Sequence, residues 1–196
     1  MAINPIDISK THKNACRIYF GLAVPAAGAE LTLIAGVPDP TQNPNARQVG
    51  LTDDGAMMTI TKTITEEFFD EYKESLEQTI DQVGMTIKCT AAQIMDFELL
   101  TAASVGVGTP QTVTDKKKLQ IGEGNILNTG IAIVSPLKSD PSLFVVSHIY
   151  AGHNVANLDV GFSRQTRSKL PLEFRGVGVT ARIAADRMGA HWYQTA

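Results

Sequence analysis

Cysteine is scarce in this 196-residue chain: Cys16 and Cys89 lie far apart and in no CxxC pattern. A disulfide framework is excluded, and both thiols are expected as small core or semi-buried residues in a reducing compartment. Tryptophan is scarcer still, with Trp192 alone beside four tyrosines. Few rings are therefore present to stack on a glycan or a base. No window approaches eighteen uninterrupted apolar residues, so no membrane-crossing helix is expected. The N-terminus, MAINPIDISKTHKNACR, lacks the apolar core of a secretory signal. The net charge of -3 is too small to argue for phosphate binding.

Catalytic patterns are missing as well. The glycine loops GVGTP (106–110) and GEGN (122–125) lack both the lysine-serine ending of a phosphate loop and the spacing of a dinucleotide fingerprint. No Gly-x-Ser-x-Gly elbow occurs. His148 and His153 have no third or fourth ligand at zinc spacing. His12 and His191, near the termini, read as surface residues, and the basic triplet Lys116 to Lys118 reads as a solvated loop. Carboxylates crowd residues 66–77, but a catalytic pair needs a pocket that separates its pKa values. The expectation is a chain with no enzymatic activity and no cofactor.

What is present is β-pattern and uneven charge. CRIYFGLAV (16–24) and ELTLIAG (30–36) read as strands. Residues 37–56 hold three prolines and two glycines and read as a long loop. In GAMMTITKTITEEFFDEY (55–72), Met58, Ile60 and Ile64 alternate with Thr59, Thr61, Thr63 and Thr65. That period of two predicts a half-buried strand, interrupted on its apolar side by Lys62. Residues 66–80 admit a helix, since Phe68, Tyr72 and Leu76 are four apart. An extended hairpin limb is the preferred alternative.

MTIKCTA (85–91) alternates again, and Ile94, Phe97, Leu99 and Leu100 predict one amphipathic helix over 91–106. Residues 106–130 read as loop-rich with a short LQI strand. Further strands are expected at 131–134, 143–151, 157–164 and 170–179. Without βαβ alternation the sheets should be antiparallel. The fold class is mainly β: an antiparallel β-sandwich or barrel with one flanking α-helix. The organisation expected is an N-terminal arm (1–15), a single β-sandwich domain (16–187) with the loop 37–56 and an acidic limb 66–81, and a C-terminal tail (188–196).

Between Asp53 and Asp81 nine acids face two bases, a balance of -7. From Lys138 onward seven bases face four acids, a balance of +3. Such a two-ended chain suits a subunit that docks onto an identical copy. Candidate inter-subunit contacts are Glu66, Glu67, Phe68, Asp70, Glu71 and Tyr72 on the acidic limb. Arg47, Arg164 and Arg167 are their basic counterparts. Trp192 is added because aromatics concentrate in interface cores.

The order of motifs resembles the tail tube (major tail) proteins of long-tailed bacteriophages. NACRIYFG (14–21) is followed by VGLTDDGAMMTI (49–60), then the acidic run, TIDQ (79–82), MTIKCTA and QIMDFELLTAASVG. Gly50, Thr52 and Gly55 match the family's glycine-threonine turn, Asp54 stands where a glycine is common, and Asp81-Gln82 matches its acid-glutamine pair. The resemblance spans residues 14–106. It implies a β-sandwich with a flanking helix that assembles into stacked hexameric rings. The implied partners are further copies of the chain, a tape-measure protein and tail-end proteins. DNA would pass through the lumen without specific binding, and no membrane is involved. The implied place is the virion tail, after synthesis in a host cytoplasm. The alternative is a β-sandwich carbohydrate-binding module.

Overall fold

The computed structural model describes residues 16–50, 52–67, 77–91, 108–113, 115–121, 126, 128–157 and 169–195. In chain order the strands are β1 (Arg17–Leu22), β2 (Leu33–Ile34), β3 (Val37–Pro38), β4 (Arg47–Gln48), β5 (Thr52–Glu67) and β6 (Glu77–Ala91). They continue with β7 (Gly108–Val113), β8 (Lys116–Ile121), β9 (Thr129–Pro136), β10 (Phe144–Asn154), β11 (Leu170–Gly176) and β12 (Gly189–Tyr193). A 3-10 turn, Ala184–Asp186, is the one helical element among the described residues.

Eight strands form one antiparallel sheet in the order β4-β1-β9-β10-β11-β6-β5, with β12 also paired to β10. β9 and β10 read as almost unbroken apolar runs, TGIAIVSP and FVVSHIYAGHN, because both of their faces are covered. The register places Phe20, Ile131 and Ile149 side by side on one face. These join Ile87, Leu170, Leu172 and Phe174 in the main core. The other face carries Tyr19, Ala132, Val134 and Val146, packed under Leu31, Leu33 and Trp192. A fully buried large apolar side chain contributes about 2 kcal/mol. A surface ion pair contributes under about 1 kcal/mol. Cross-sheet packing therefore governs stability.

β10 organises the sheet. One edge pairs with β9 along nearly its whole length. The other edge is divided between β12, at Val145 to Ile149, and β11, at Gly152 to Asn154. The register of β9 against β10 slips between Ile149 and Gly152. β12 approaches so closely that a Cβ on Gly189 would lie 2.1 Å from the His148 carbonyl oxygen.

Several expectations change. The 37–56 stretch is ordered into three pieces. Ala35 (φ 51°) and Gly36 (φ 76°) turn β2 into β3, the paired left-handed conformation of a tight hairpin. Asp39 Oδ1 accepts from the Thr41 amide at 2.8 Å and hydroxyl at 2.7 Å, and Asn43 Oδ1 accepts from the Ala23 amide at 3.0 Å. β4 then pairs with β1, and β5 begins at Thr52. Local side-chain bonds replace the order that proline removes.

Residues 108–113 and 116–121, in a stretch expected as mostly loop, pair as the antiparallel strands β7 and β8. Residues 189–193, expected as tail, form β12, since each residue from Gly189 to Tyr193 has a partner on β10. The flanking helix is not seen: Ala91 ends β6, and 92–107 lie outside the described residues. So does most of the strand expected at 157–164, together with the arm 1–15.

Candidate functional site

β5 and β6 pair over almost their full lengths, from Thr52↔Ala91 out to Glu67↔Glu77. Their inner halves belong to the core. Met85 is 5% exposed, Ile87 is fully buried, and Met58 packs against them. Beyond Ile60 the hairpin leaves the core, and every residue from Ile60 to Glu66 is exposed. The limb expected at 66–80 is an extension of this ladder as far as Glu67 and Glu77, which excludes a helix at those two positions.

Alternation divides the hairpin into two unlike faces. One face carries Ile60, Lys62, Ile64 and Glu66, which stand opposite Met85, Val83, Ile80 and Gln78. The other carries Thr59, Thr61, Thr63 and Thr65, opposite Thr86, Gly84, Gln82 and Thr79. Ile80 and Val83 are separated by an odd number of positions, so a regular strand would send them to opposite faces. The register slips between Thr63 and Ile64, leaving one extra residue, Asp81, on β6. That bulge lets Ile80 stand opposite Ile64 on the same face as Val83. The outcome is a strip of Ile60 (59% exposed), Ile64 (41%), Ile80 (57%) and Val83 (50%). It is the outward continuation of the core row formed by Met58, Met85 and Ile87.

Bare apolar side chains scattered singly are ordinary, but a contiguous strip continuous with a core marks a surface meant to be covered. β5 is also the last strand in the sheet order, so its outer edge meets no strand among the described residues. An open edge of that length is a template for another chain.

The structure sorts the residues expected at contacts. Glu66 and Glu67 sit at the far end of β5. Phe68, Asp70, Glu71, Tyr72, Arg164 and Arg167 lie outside the described residues. Arg47 is on β4, at the opposite edge of the sheet, where its Nη1 donates to the carbonyls of Ala46 (3.0 Å) and Pro44 (3.5 Å). Trp192 is half-buried on the sheet's second face, against its own domain. Of the charged candidates among the described residues, Glu66 and Glu67 on β5 and Arg47 on β4 thus lie at opposite edges of the sheet.

Sequence reasoning passed over Ile80 and Val83. Their signal was present: an apolar pair whose spacing fits one strand face only with a bulge between them. Ser147 Oγ lies 2.8 Å from His191 Nδ1, joining β10 to β12. His153 Nδ1 lies 2.9 Å from Asn128 Oδ1, whereas His148 is buried. The two histidines do not share a site. A shallow groove of about 330 Å³ runs over Met57, Lys88, Thr90, Pro171 and Glu173, floored by the 3.0 Å Lys88–Glu173 ion pair.

Burial first, and the nearby Cys16 second, push the Cys89 thiol up to about 12, so it is held as an inert core residue. No group of three or more metal-ligating side chains occurs among the described residues. No helix there is long and apolar enough to cross a membrane. No protein-family model and no curated protein matches the chain.

Proposed function

We propose that the chain is a virion structural protein: the tail tube subunit of a long-tailed bacteriophage. In this role it associates with identical copies into stacked hexameric rings that form the conduit for DNA ejection. What supports this most is the bare strip Ile60, Ile64, Ile80 and Val83, which continues the core row into solvent. Apolar area gains about 25 cal/mol per Å² when water is removed, so the strip favours a covering partner.

A second copy of this chain is the occupant. Lys62 and Glu66 stand on the same face as the strip, so identical surfaces offset along the strand meet charge with opposite charge. The outer edge of β5 offers backbone groups to the same neighbour. A contact between two different patches of identical copies closes into a ring when its rotation allows, and stacks into a filament when it does not. In this proposal the sheet belongs to a sandwich or barrel of the tail-tube kind. The threonine face, uncharged over the stretch from Thr59 to Thr65 and its partners Thr86 to Thr79, suits a wall past which DNA slides without being gripped.

The carbohydrate-binding alternative gains no specific support. Tyr193 is the one aromatic among the exposed large apolar side chains of the described residues. Negative-stain electron microscopy of the full chain at rising concentration tests the proposal. Rings or hollow tubes are expected. A monodisperse monomer at every concentration, retained on a glycan array, overturns it in favour of the binding module.

A further inference from the structure

His148 lies in the middle of β10 with 0% of its surface exposed, and neither ring nitrogen has a hydrogen-bond partner among the described residues. A Cβ on Gly130 would fall 3.2 Å from Nε2, so the β9 backbone closes over that nitrogen. Across the ladder β9 presents Ala132 and β12 presents Ala190, and neither side chain can bond the ring. The ring meets Tyr150 edge to face, with centroids 5.1 Å apart and planes at 88°.

Tyr150 is in turn one wall of an ion-pair cluster. The Arg182 guanidinium carbon sits 3.9 Å from its ring centroid. The Tyr150 hydroxyl donates to Asp186 Oδ1 at 2.9 Å and accepts from Arg182 Nη2 at 3.2 Å. Arg182 Nε donates to the Asp186 carbonyl at 2.9 Å and to Oδ2 at 3.0 Å, and Nη2 also bonds Oδ2. Nη1 donates to the carbonyls of Pro25 at 2.7 Å and Ala26 at 2.8 Å, and Nη2 reaches that of Ala29 at 3.5 Å. Arg182 is 3% exposed. One buried arginine thus ties residues 25–29 to the segment leading into β12, and both to β10.

The cluster leaves no room for a second cation. Asp186 is fully engaged by Arg182 and Tyr150. Glu30 is the other carboxylate near Arg182. Burial first and the Asp186 charge second raise its pKa, against the lowering effect of Arg182. A proton on His148 would place an imidazolium in the field of the Arg182 charge, with no acceptor among the described residues for either N–H.

We infer that His148, Tyr150, Arg182 and Asp186 form an acid-released latch, in which protonation of His148 frees residues 25–30 and β12 from β10 while the sheet of β1, β9 and β10 persists. Tyr150 on its own strand meets the His148 ring and Arg182 from the segment before β12 is the charge acting on it, while Asp186 and Glu30 act on Arg182 and Tyr150. β9 and β12 present Gly130, Ala132 and Ala190, which carry no charge.

The direction follows from linkage. Burial first and the Arg182 charge second depress the His148 imidazole from 6.5 to about 4. The released state binds the proton more readily, so latch stability is complete above pH 6.5 and declines as pH falls from there toward 4. At tenfold per pH unit, that span shifts the equilibrium toward release by about 300-fold. Asp186 acts lower. Burial pushes its carboxyl up, but the bonds from Tyr150 and Arg182 and the Arg182 charge together hold it below 3.8. Its contribution is present above 3.8 and is lost only on further acidification.

Trp192 reports on the latch, since it is the single tryptophan, lies on β12 opposite Val146, and has its indole N–H buried. The full chain is titrated from neutral to acid pH while tryptophan emission and far-ultraviolet circular dichroism are recorded. The Trp192 red shift is expected first, with its midpoint between pH 6.5 and 4, ahead of any loss of β signal. In His148→Phe the midpoint should move at least one unit lower. Simultaneous loss of both signals in the wild type, or an unchanged midpoint in His148→Phe, overturns the latch. If His148→Phe does not fold, hydrogen exchange at His148 Cε1 in the wild type decides, read by mass spectrometry. An exchange midpoint well below 6.5 supports the latch, and one at or above 6.5 overturns it.

Discussion

Ile64 of β5 stands directly opposite Ile80 of β6, both exposed, on the outer side of a β-bulge that brings Ile80 and Val83 to one face. Were Asp81 paired in regular register opposite Ile64, Ile80 would stand opposite Thr65 on the threonine side and the strip would be broken. A bulge that gathers isoleucines in solvent has no evident benefit to an isolated subunit, because it buries nothing. It makes sense if the hairpin's apolar face is completed by another chain.

The acidic limb expected at 66–81 gives one prediction under the proposed function. Replacing Glu66, Glu67 and Glu71 together with lysine should prevent ring stacking while leaving the monomer folded. Substitutions at exposed positions such as Glu66 change stability by about 0.5 kcal/mol or less. Electron microscopy and a thermal melt of the same sample read both quantities. Tubes that form as in the wild type would remove these carboxylates from the contact.

Gly189→Ala should loosen β12. The added methyl carbon would sit 2.1 Å from the His148 carbonyl oxygen and 3.0 Å from Met85 Sδ. Since backbone cannot yield as a flexible side chain can, a cost of about 2–4 kcal/mol is expected, above the roughly 1 kcal/mol of an average substitution. A urea titration followed by Trp192 emission measures it. An unchanged midpoint would mean that β12 is not seated as described.

Thiol chemistry gives a third prediction. With its thiol pushed up to about 12, Cys89 carries almost no thiolate at pH 8, whereas Cys16 is only half-buried. A thiol reagent should therefore titrate one fast group in the native protein and two after denaturation. Two fast groups in the native state would contradict the burial of Cys89 in the main core.

These features differ in how far the sequence reveals them. The alternation of Met58 to Thr65 announces β5, because side-chain period is a local property. The limb at 66–80 is ambiguous in sequence, because Phe68, Tyr72 and Leu76 also fit a helical stripe. Cross-strand pairing of Glu66 with Gln78 and of Glu67 with Glu77 extends the strand past its threonines. β7 is hidden by Pro110 and by a composition that resembles a turn. The short β2 and β4 depend on turn chemistry and on a neighbour supplied by β1.

The Arg182 latch is invisible in sequence for a different reason. Its acceptors at Pro25, Ala26 and Ala29 are backbone carbonyls more than 150 positions away, and no side-chain pattern encodes a carbonyl. Trp192 lies between these cases. Its need to pack is legible from its size, but only the register with Val146 shows that its own domain supplies the contact.

The most direct measurement compares sedimentation of the wild type with that of an Ile60→Thr, Ile64→Thr, Ile80→Thr variant over a wide concentration range. Threonine keeps the β-branched shape and the strand preference, so the hairpin and the melting temperature should be retained. The account predicts concentration-dependent assembly for the wild type and a monomer for the variant, with association weakened by at least a hundredfold. Equal assembly of the two proteins would contradict the claim that this strip seats a neighbouring copy.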